Sequence, residues 1–424
     1  MRRSRSSVSR PSSMRAVLKW LGRHGLRAAA FVVFALLALG LVPECCRPGS
    51  VVLPRLSPIL GLLGALGARE WAGWTVLLGV PLLVLSFFRG RVFCWRFCPM
   101  GFLAELASKL NPRGRGSLQR VPALNKALAL VIAATAACGY PLFIWLDPLC
   151  IFNGFFAAWR EPLTWASATT GTGFVAILVL SVAVPNVWCH RLCPLGGLQQ
   201  AVTDLARRVR APRSGTAVPE SGMSAAKIAR RTVLAAVPAV VAGLTAKRGL
   251  GPNGARAVRP PTADPARINA LCARCGNCMK ACPYGLIHPD LGTTGIDGLL
   301  SPVIRLRSQD PDQEQFCSQS CSACTQVCPT GALRPLAERL KEQGRFAPIG
   351  VAVVRRDLCV AWAENKDCAT CDEYCPYQAV KLVKHGDVNC PVVDTDKCRG
   401  CGACESNCPA EPIAITVKPL PPVG

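Results

Sequence analysis

CARCGNCMKACP, residues 272–283, sets Cys272, Cys275, Cys278 and Cys282 in a C-x2-C-x2-C-x3-C-P run. A cubane iron–sulfur cluster needs four thiolates converging on its corners. A C-x2-C-x2-C loop wraps three of them, and the fourth, three residues on, points away along the following helix toward a neighbouring cluster. Such motifs therefore work in pairs, and the rest of the chain has to supply the partners.

Three more groups follow: Cys317, Cys321, Cys324 and Cys328; Cys359, Cys368, Cys371 and Cys375; and Cys398, Cys401, Cys404 and Cys408. Each fourth cysteine precedes proline. Pairing first with second and third with fourth gives the expected ligand sets: Cys272/275/278 with Cys328, Cys317/321/324 with Cys282, Cys359/368/371 with Cys408, and Cys398/401/404 with Cys375. The second group has one extra spacer residue, and the third has eight residues between its first two cysteines, so Cys390 is the alternative to Cys359. Four [4Fe-4S] clusters are expected over 251–424. Zinc is the alternative chemistry, but it explains neither the C-x3-C-P extension nor the pairing. A disulfide scaffold is disfavoured, because small secreted disulfide domains do not repeat this run.

Upstream, RVFCWRFCPMG (91–101) and NVWCHRLCPLG (186–196) repeat only the last half of the motif. Their cysteines, Cys94 and Cys98 in one copy and Cys189 and Cys193 in the other, make four thiolates, enough for a fifth cluster between the copies. The alternative is a pair of redox-active or structural dithiols. His190 reads as an outer or surface residue, and Cys138 as a small buried apolar one.

Apolar runs cover 28–42, 71–88, 127–146 and 174–188, and the half motifs end the second and the fourth. Basic residues in the successive flanking segments number 8, 3, 8, 1 and 8. That alternation fits the positive-inside rule and implies four spans with a cytoplasmic N-terminus over residues 1–27. The net charge of +24 lies mainly in these segments, which argues against nucleic acid as a partner. A basic linker (206–231) leads to ARRTVLAAVPAVVAGLTAKRG (229–249), a twin-arginine-like segment whose core, 232–246, reads as a fifth span. Pro58–Ala68 reads as a short interfacial helix. The expected fold is an α-helical membrane domain over 28–205, two repeated helix pairs plus the fifth span, followed by an α+β bacterial-ferredoxin-like poly-[4Fe-4S] domain. It belongs in a bacterial inner (cytoplasmic) membrane as a multi-pass protein, with the ferredoxin-like domain on the periplasmic side.

On these motifs, the first half resembles the NapH family of membrane ferredoxin-type proteins, and the tail resembles the NapG family. Together those families form a quinol dehydrogenase that feeds electrons to periplasmic nitrate reductase. Related pairs serve methylamine dehydrogenase maturation and nitrous oxide reduction. The resemblance implies an electron-transfer subunit that takes electrons from quinol, in contact with lipid and the quinone pool, and passes them to a periplasmic cytochrome or molybdenum reductase. Assembly factor and cytoplasm-facing polyferredoxin are the alternatives.

The expected topology separates the half motifs from the tail by a hydrocarbon core of about 30 Å, so a bridge is needed. Cys45 and Cys46 at the end of the first apolar run and Cys150 at the end of the third occupy equivalent places in the two repeats. A disulfide and an extra cofactor both remain open for them. Glu44 and Asp147 beside them are candidate proton acceptors from quinol; ordinary loop carboxylates are the alternative.

Overall fold

The computed structural model describes residues 14–39, 53–69, 74–111, 122–139, 141, 143–157, 168–210, 241, 257–295, 298–306, 316–318, 321–335 and 348–420. Glu44, Cys45 and Cys46 lie outside this set, as does the 232–246 segment apart from Val241.

The first half is helical: α1 (Met14–Leu39), a π turn (Ile59–Leu63) running into α2 (Gly64–Ala68), α3 (Trp74–Arg89), α4 (Val92–Arg96), α5 (Pro99–Ser108), α6 (Asn125–Ala137), α7 (Pro148–Ala157), α8 (Thr172–Ala183), a second π turn (Trp188–Leu192) and α9 (Pro194–Arg210). Phe152, Met100, Ile132, Leu149 and Leu195 form its buried core. The second half alternates short helices with three two-stranded antiparallel sheets. They are β1 (Ile287–Pro289) with β2 (Pro302–Ile304), β3 (Val351–Val354) with β6 (Ile415–Lys418), and β4 (Val380–His385) with β5 (Val388–Val393). Its helices are α10 (Pro265–Leu271), α11 (Asn277–Ala281), α12 (Ala323–Gln326), α13 (Val360–Ala363), α14 (Thr370–Glu373) and α15 (Ala403–Ser406).

The expected four spans are overturned, and with them the multi-pass inner-membrane location and its topology; the expected fifth span at 232–246 lies outside the described residues apart from Val241. Among the described residues no helix is long and apolar enough to cross a membrane. The apolar runs of the sequence are longer than the helices they form. The 127–146 run breaks where α6 ends at Ala137, then turns through Gly139 (φ 83°) and Phe143 (φ 62°) into a 3-10 turn at Ile144–Leu146. The 174–188 run ends its helix at Ala183 because Val184 is extended. The 71–88 run yields a 16-residue helix, about 24 Å long at 1.5 Å per residue and short of the roughly 30 Å of a hydrocarbon core. The 26-residue α1 is long enough, but its sequence carries Arg15, Lys19, Arg23 and Arg27.

The halves pack directly on one another. Asn153 of α7 donates its Nδ2–H to the Cys275 carbonyl (2.7 Å) and to Asn277 Oδ1 (2.7 Å). Arg274 stacks on Trp145 at 4.9 Å, and Lys280 donates to the Ala38 carbonyl. Leu60, Cys150, Ala273 and Cys275 form a small buried cluster across the seam.

Within the helical half, α9 crosses the start of α6 so closely that a Cβ on Gly197 would overlap the backbone of Asn125. Gly25 in α1, by contrast, has nothing within 4 Å of an added Cβ. Gly197→Ala should therefore lower the apparent Tm, at a cost of about 2 kcal/mol for overpacking against backbone. Gly25→Ala should leave it unchanged or raise it, by about 0.5–1 kcal/mol of helix propensity. Thermal melts of the two variants check this; equal melting temperatures would contradict the close crossing.

Candidate iron–sulfur centres

The C-x2-C-x2-C loops are bent by left-handed residues at matching offsets. Arg274 (φ 54°) and Gly276 (φ 73°) stand two and four residues after Cys272, and Gly400 (φ 65°) and Gly402 (φ 92°) stand two and four after Cys398. Two reversals within five residues turn successive cysteines inward. At Gly402 a Cβ would collide with Leu306, and at Gly400 with the backbone of Gly350, so those glycines also permit close packing.

Four cavities result, each of about 320–400 Å³. The first is lined by Cys272, Cys275 and Cys278 with Cys328. The second is lined by Cys317, Cys321 and Cys324 with Cys282. The third is lined by Cys375 with Cys398, Cys401 and Cys404, and the fourth by Cys359, Cys368 and Cys371 with Cys408. Each therefore takes three thiols from one motif and one from its partner. Cys359, at the N-terminus of α13, faces its cavity. Cys390, on β5, does not line it: the thiol is fully buried and donates to the Ala361 carbonyl (3.5 Å).

Burial is the largest influence on these thiols, with mutual repulsion behind it. Burial first, then neighbouring thiols, pushes Cys275, Cys317 and Cys371 up to about 12, and Cys278, Cys324 and Cys404 also rise. Backbone N–H groups also reach the sulfurs: Leu333 donates to Cys328 Sγ (3.4 Å), Ala379 to Cys375 Sγ (3.2 Å) and Ala352 to Cys398 Sγ (3.4 Å). Four thiols in a dry pocket ionise together only around a strongly cationic core, and N–H···S bonds tune such a core's potential. A single zinc ion would draw its four sulfurs to within about 3.8 Å of each other, given a Zn–S bond of about 2.3 Å. Among the described residues no group of His, Cys, Asp or Glu side chains is arranged to hold a single metal ion. The open four-thiol cavities fit a multi-iron cluster instead.

The half motifs also come together. Cys98 feels Cys94 and Cys189, and Cys193 feels Cys94 and Cys98, after burial the main reasons their thiols are raised. The two copies are near-repeats in structure. Cys98 precedes α5 and accepts from the Gly101 N–H (3.4 Å), and Cys193 precedes α9 and accepts from the Gly196 N–H (3.4 Å). They are tied across the repeat by Arg91, which donates to the Cys189 carbonyl (2.6 Å), and by the Cys94 thiol, which donates to Gln199 Oε1 (3.2 Å). Three buried donors on these residues, Arg91 Nε, Trp188 Nε1 and Gln199 Nε2, have no protein partner. Cluster sulfides are the acceptors such donors suit. His190 is exposed with its ring against the Asn186 carbonyl, and Cys138 is half-buried at the end of α6.

The five sites follow one another. Cys94 and Cys193 of the half motifs and Cys150 each feel the Asp147 carboxylate, and Cys150 also feels Cys275 and Cys272. Cys278 feels Cys324 of the second cavity, the Cys317 N–H donates to the Cys401 carbonyl (2.8 Å), and Cys404 feels Cys371. The long gap expected between the half motifs and the tail is thus absent, because the helical elements are short and the tail packs onto them. Asp147, a candidate quinol-side acceptor in the sequence, is fully buried at the start of α7. The spacing of the motifs gave no sign of Asn153, which sits at the seam, or of the orphan donors around the half motifs.

Residues 271–333 match the 4Fe-4S dicluster domain family, and 391–414 match a 4Fe-4S binding domain. Residues 71–117 and 168–212, the two half-motif regions, each match another 4Fe-4S binding domain. The chain is 34% identical over 179 residues to methylamine utilization ferredoxin-type protein MauM of Methylophilus methylotrophus, covering 39% of this chain and 73% of that one. It is 32% identical over 223 residues to ferredoxin-type protein NapG of Escherichia coli, covering 49% and 90%. It is also 25% identical over 173 residues to methylamine utilization ferredoxin-type protein MauN of Methylobacillus flagellatus, covering 39% and 58%. No solved structure matches. With this share of MauM and NapG covered by its paired cysteine motifs, the chain belongs to the ferredoxin-type iron–sulfur proteins that include them.

Proposed function

We propose that this electron-transfer protein carries five [4Fe-4S] clusters as one wire. Cys94, Cys98, Cys189 and Cys193 hold the end in the helical half. The four cavities continue it in the order of the Cys272, Cys317, Cys398 and Cys359 sets. Each cluster supplies one-electron chemistry, and the protein supplies thiolates, N–H donors and short separations. The observation that carries this reading is the unbroken succession of five four-cysteine groups across the seam at Asn153 and Cys150.

Electrons enter at the helical end from a lipophilic two-electron donor, a quinol. Exposed Val33, Leu36, Val84, Phe88, Val175 and Val179 favour such a donor on that half. They leave from the Cys359 set to a redox protein, a cytochrome or a molybdenum reductase.

Purified anaerobically, the chain should carry about twenty irons with matching acid-labile sulfide, four per cluster. Replacing Cys94, Cys98, Cys189 and Cys193 by serine should lower this to about sixteen; an unchanged iron content would contradict the fifth cluster. A reduced quinol analogue should bleach the visible absorbance of the loaded protein within minutes. Clusters that stay oxidised with every quinol tried would remove the dehydrogenase reading and leave the assembly-factor alternative. Asn153→Leu should keep the iron but slow transfer between the half-motif cluster and the tail, because two buried acceptors lose their donor at about 1–3 kcal/mol each. Stopped-flow reduction that is as fast as wild type would show that the seam does not govern the step.

A further inference from the structure

The two half motifs match position for position in their cysteines but not in what surrounds them. Six residues after Cys98 stands Ala104, and six residues after Cys193 stands Gln199. Both are fully buried. One copy therefore puts a methyl where the other puts an amide. That amide crosses to the opposite copy: Gln199 Oε1 lies 3.2 Å from the Cys94 thiol and accepts its S–H. Its Nε2 is buried as well, and among the described residues nothing accepts from it. A dry amide N–H without an acceptor is costly, so such a group points to a ligand.

The packing around α9 holds this amide in place. The close crossing of Gly197 with the Asn125 backbone fixes α9 two residues away. The Thr203 hydroxyl, one turn on, lies 2.7 Å from the Gln199 carbonyl and 3.2 Å from the Ser86 carbonyl of α3. The Gln199 side chain thus reaches Cys94 from a helix braced on two sides, which sets its position more closely than a loop would.

We propose that Gln199 is a positioning residue for the half-motif centre: when iron occupies it, the side-chain amide turns end for end and donates an Nε2–H to the Cys94 sulfur. This rests on the reading that Cys94, Cys98, Cys189 and Cys193 hold a cluster. An iron-bound cysteine sulfur has no proton to give, and a carbonyl oxygen 3.2 Å from it would face an anion. Turning the amide exchanges oxygen for nitrogen and leaves the heavy-atom positions filled, because the two ends are nearly the same size. The N–H that lacked an acceptor gains one, and a repulsive contact becomes a charge-assisted hydrogen bond. A reduced cluster carries one more negative charge than an oxidised one. The donor therefore stabilises the reduced state more and raises the potential. Because Ala104 has no such donor, the effect falls on one copy of the repeated pair.

The test is an EPR-monitored redox titration of the full, cluster-loaded chain at one fixed pH. Gln199→Met keeps the length of the side chain and removes both N–H groups. It should keep the iron content and lower the half-motif potential by about 59 mV, a tenfold shift in a one-electron equilibrium. Gln199→Glu, which keeps an oxygen but lacks the donor, should lower it at least as far. Gln200→Leu, at the next position, should leave it unchanged. A second measurement uses protein grown with heavy nitrogen only in its glutamine side-chain amides. Pulsed EPR of the half-motif signal should then show a coupling to the label that persists in Gln200→Leu and is lost in Gln199→Met. Where Gln199→Met loads poorly, the coupling in the wild type and in Gln200→Leu supports the donor by itself. A wild-type potential in both Gln199 variants, or no coupling to the label in the wild type, would overturn the proposal and leave the cluster in place. If serine at positions 94, 98, 189 and 193 removes neither iron nor an EPR signal, the cluster reading falls as well.

Discussion

Four thiols cannot ionise together in a dry cavity unless a cation binds among them. This constraint organises the molecule. Burial raises Cys98, Cys278, Cys317, Cys371 and Cys404, one in each group, and neighbouring thiols raise them again. The fold supplies the apolar walls and a few N–H donors, and an iron–sulfur core supplies the positive charge that lets the thiolates form. On that account cluster binding and folding are linked, as in other metal domains whose ligands must deprotonate.

The crossed lining of the cavities has a second effect. Because each motif gives its fourth cysteine to its partner's cavity, the motifs must pack side by side, and neighbouring centres end up close. The contact of Cys317 with Cys401 extends this from one motif pair to the next. The seam at Asn153, Arg274 and Lys280 extends it into the helical half. Electron transfer over such a chain needs no large motion, and the short elements suit that role.

Much of the site was readable in the cysteine spacing, because three thiols on one tight loop and a fourth after three residues have few ways to meet a cluster. The residues named by that spacing and those lining the cavities coincide, including Cys359 in preference to Cys390. The left-handed bends were partly readable as Gly276, Gly400 and Gly402, but Arg274 adopts the same bend with no glycine to mark it. The helical half was misjudged. Hydropathy measures how long an apolar run is, not how long its helix is. The breaks fall at Gly139–Phe143, around Pro141, and at Val184, just before Pro185, positions that a hydropathy sum does not weigh. The nearness of the half motifs to the tail was lost with that error. Asn153 and Asp147 matter through packing between distant segments, which no local pattern records.

The most direct test of a single wire across both halves is low-temperature EPR of the fully reduced protein. The account predicts about five spins per chain, one per cluster, with spectra broadened by magnetic interaction between neighbours, the half-motif cluster included. A half-motif signal that is sharp and unchanged when the Cys272 set is removed would contradict it.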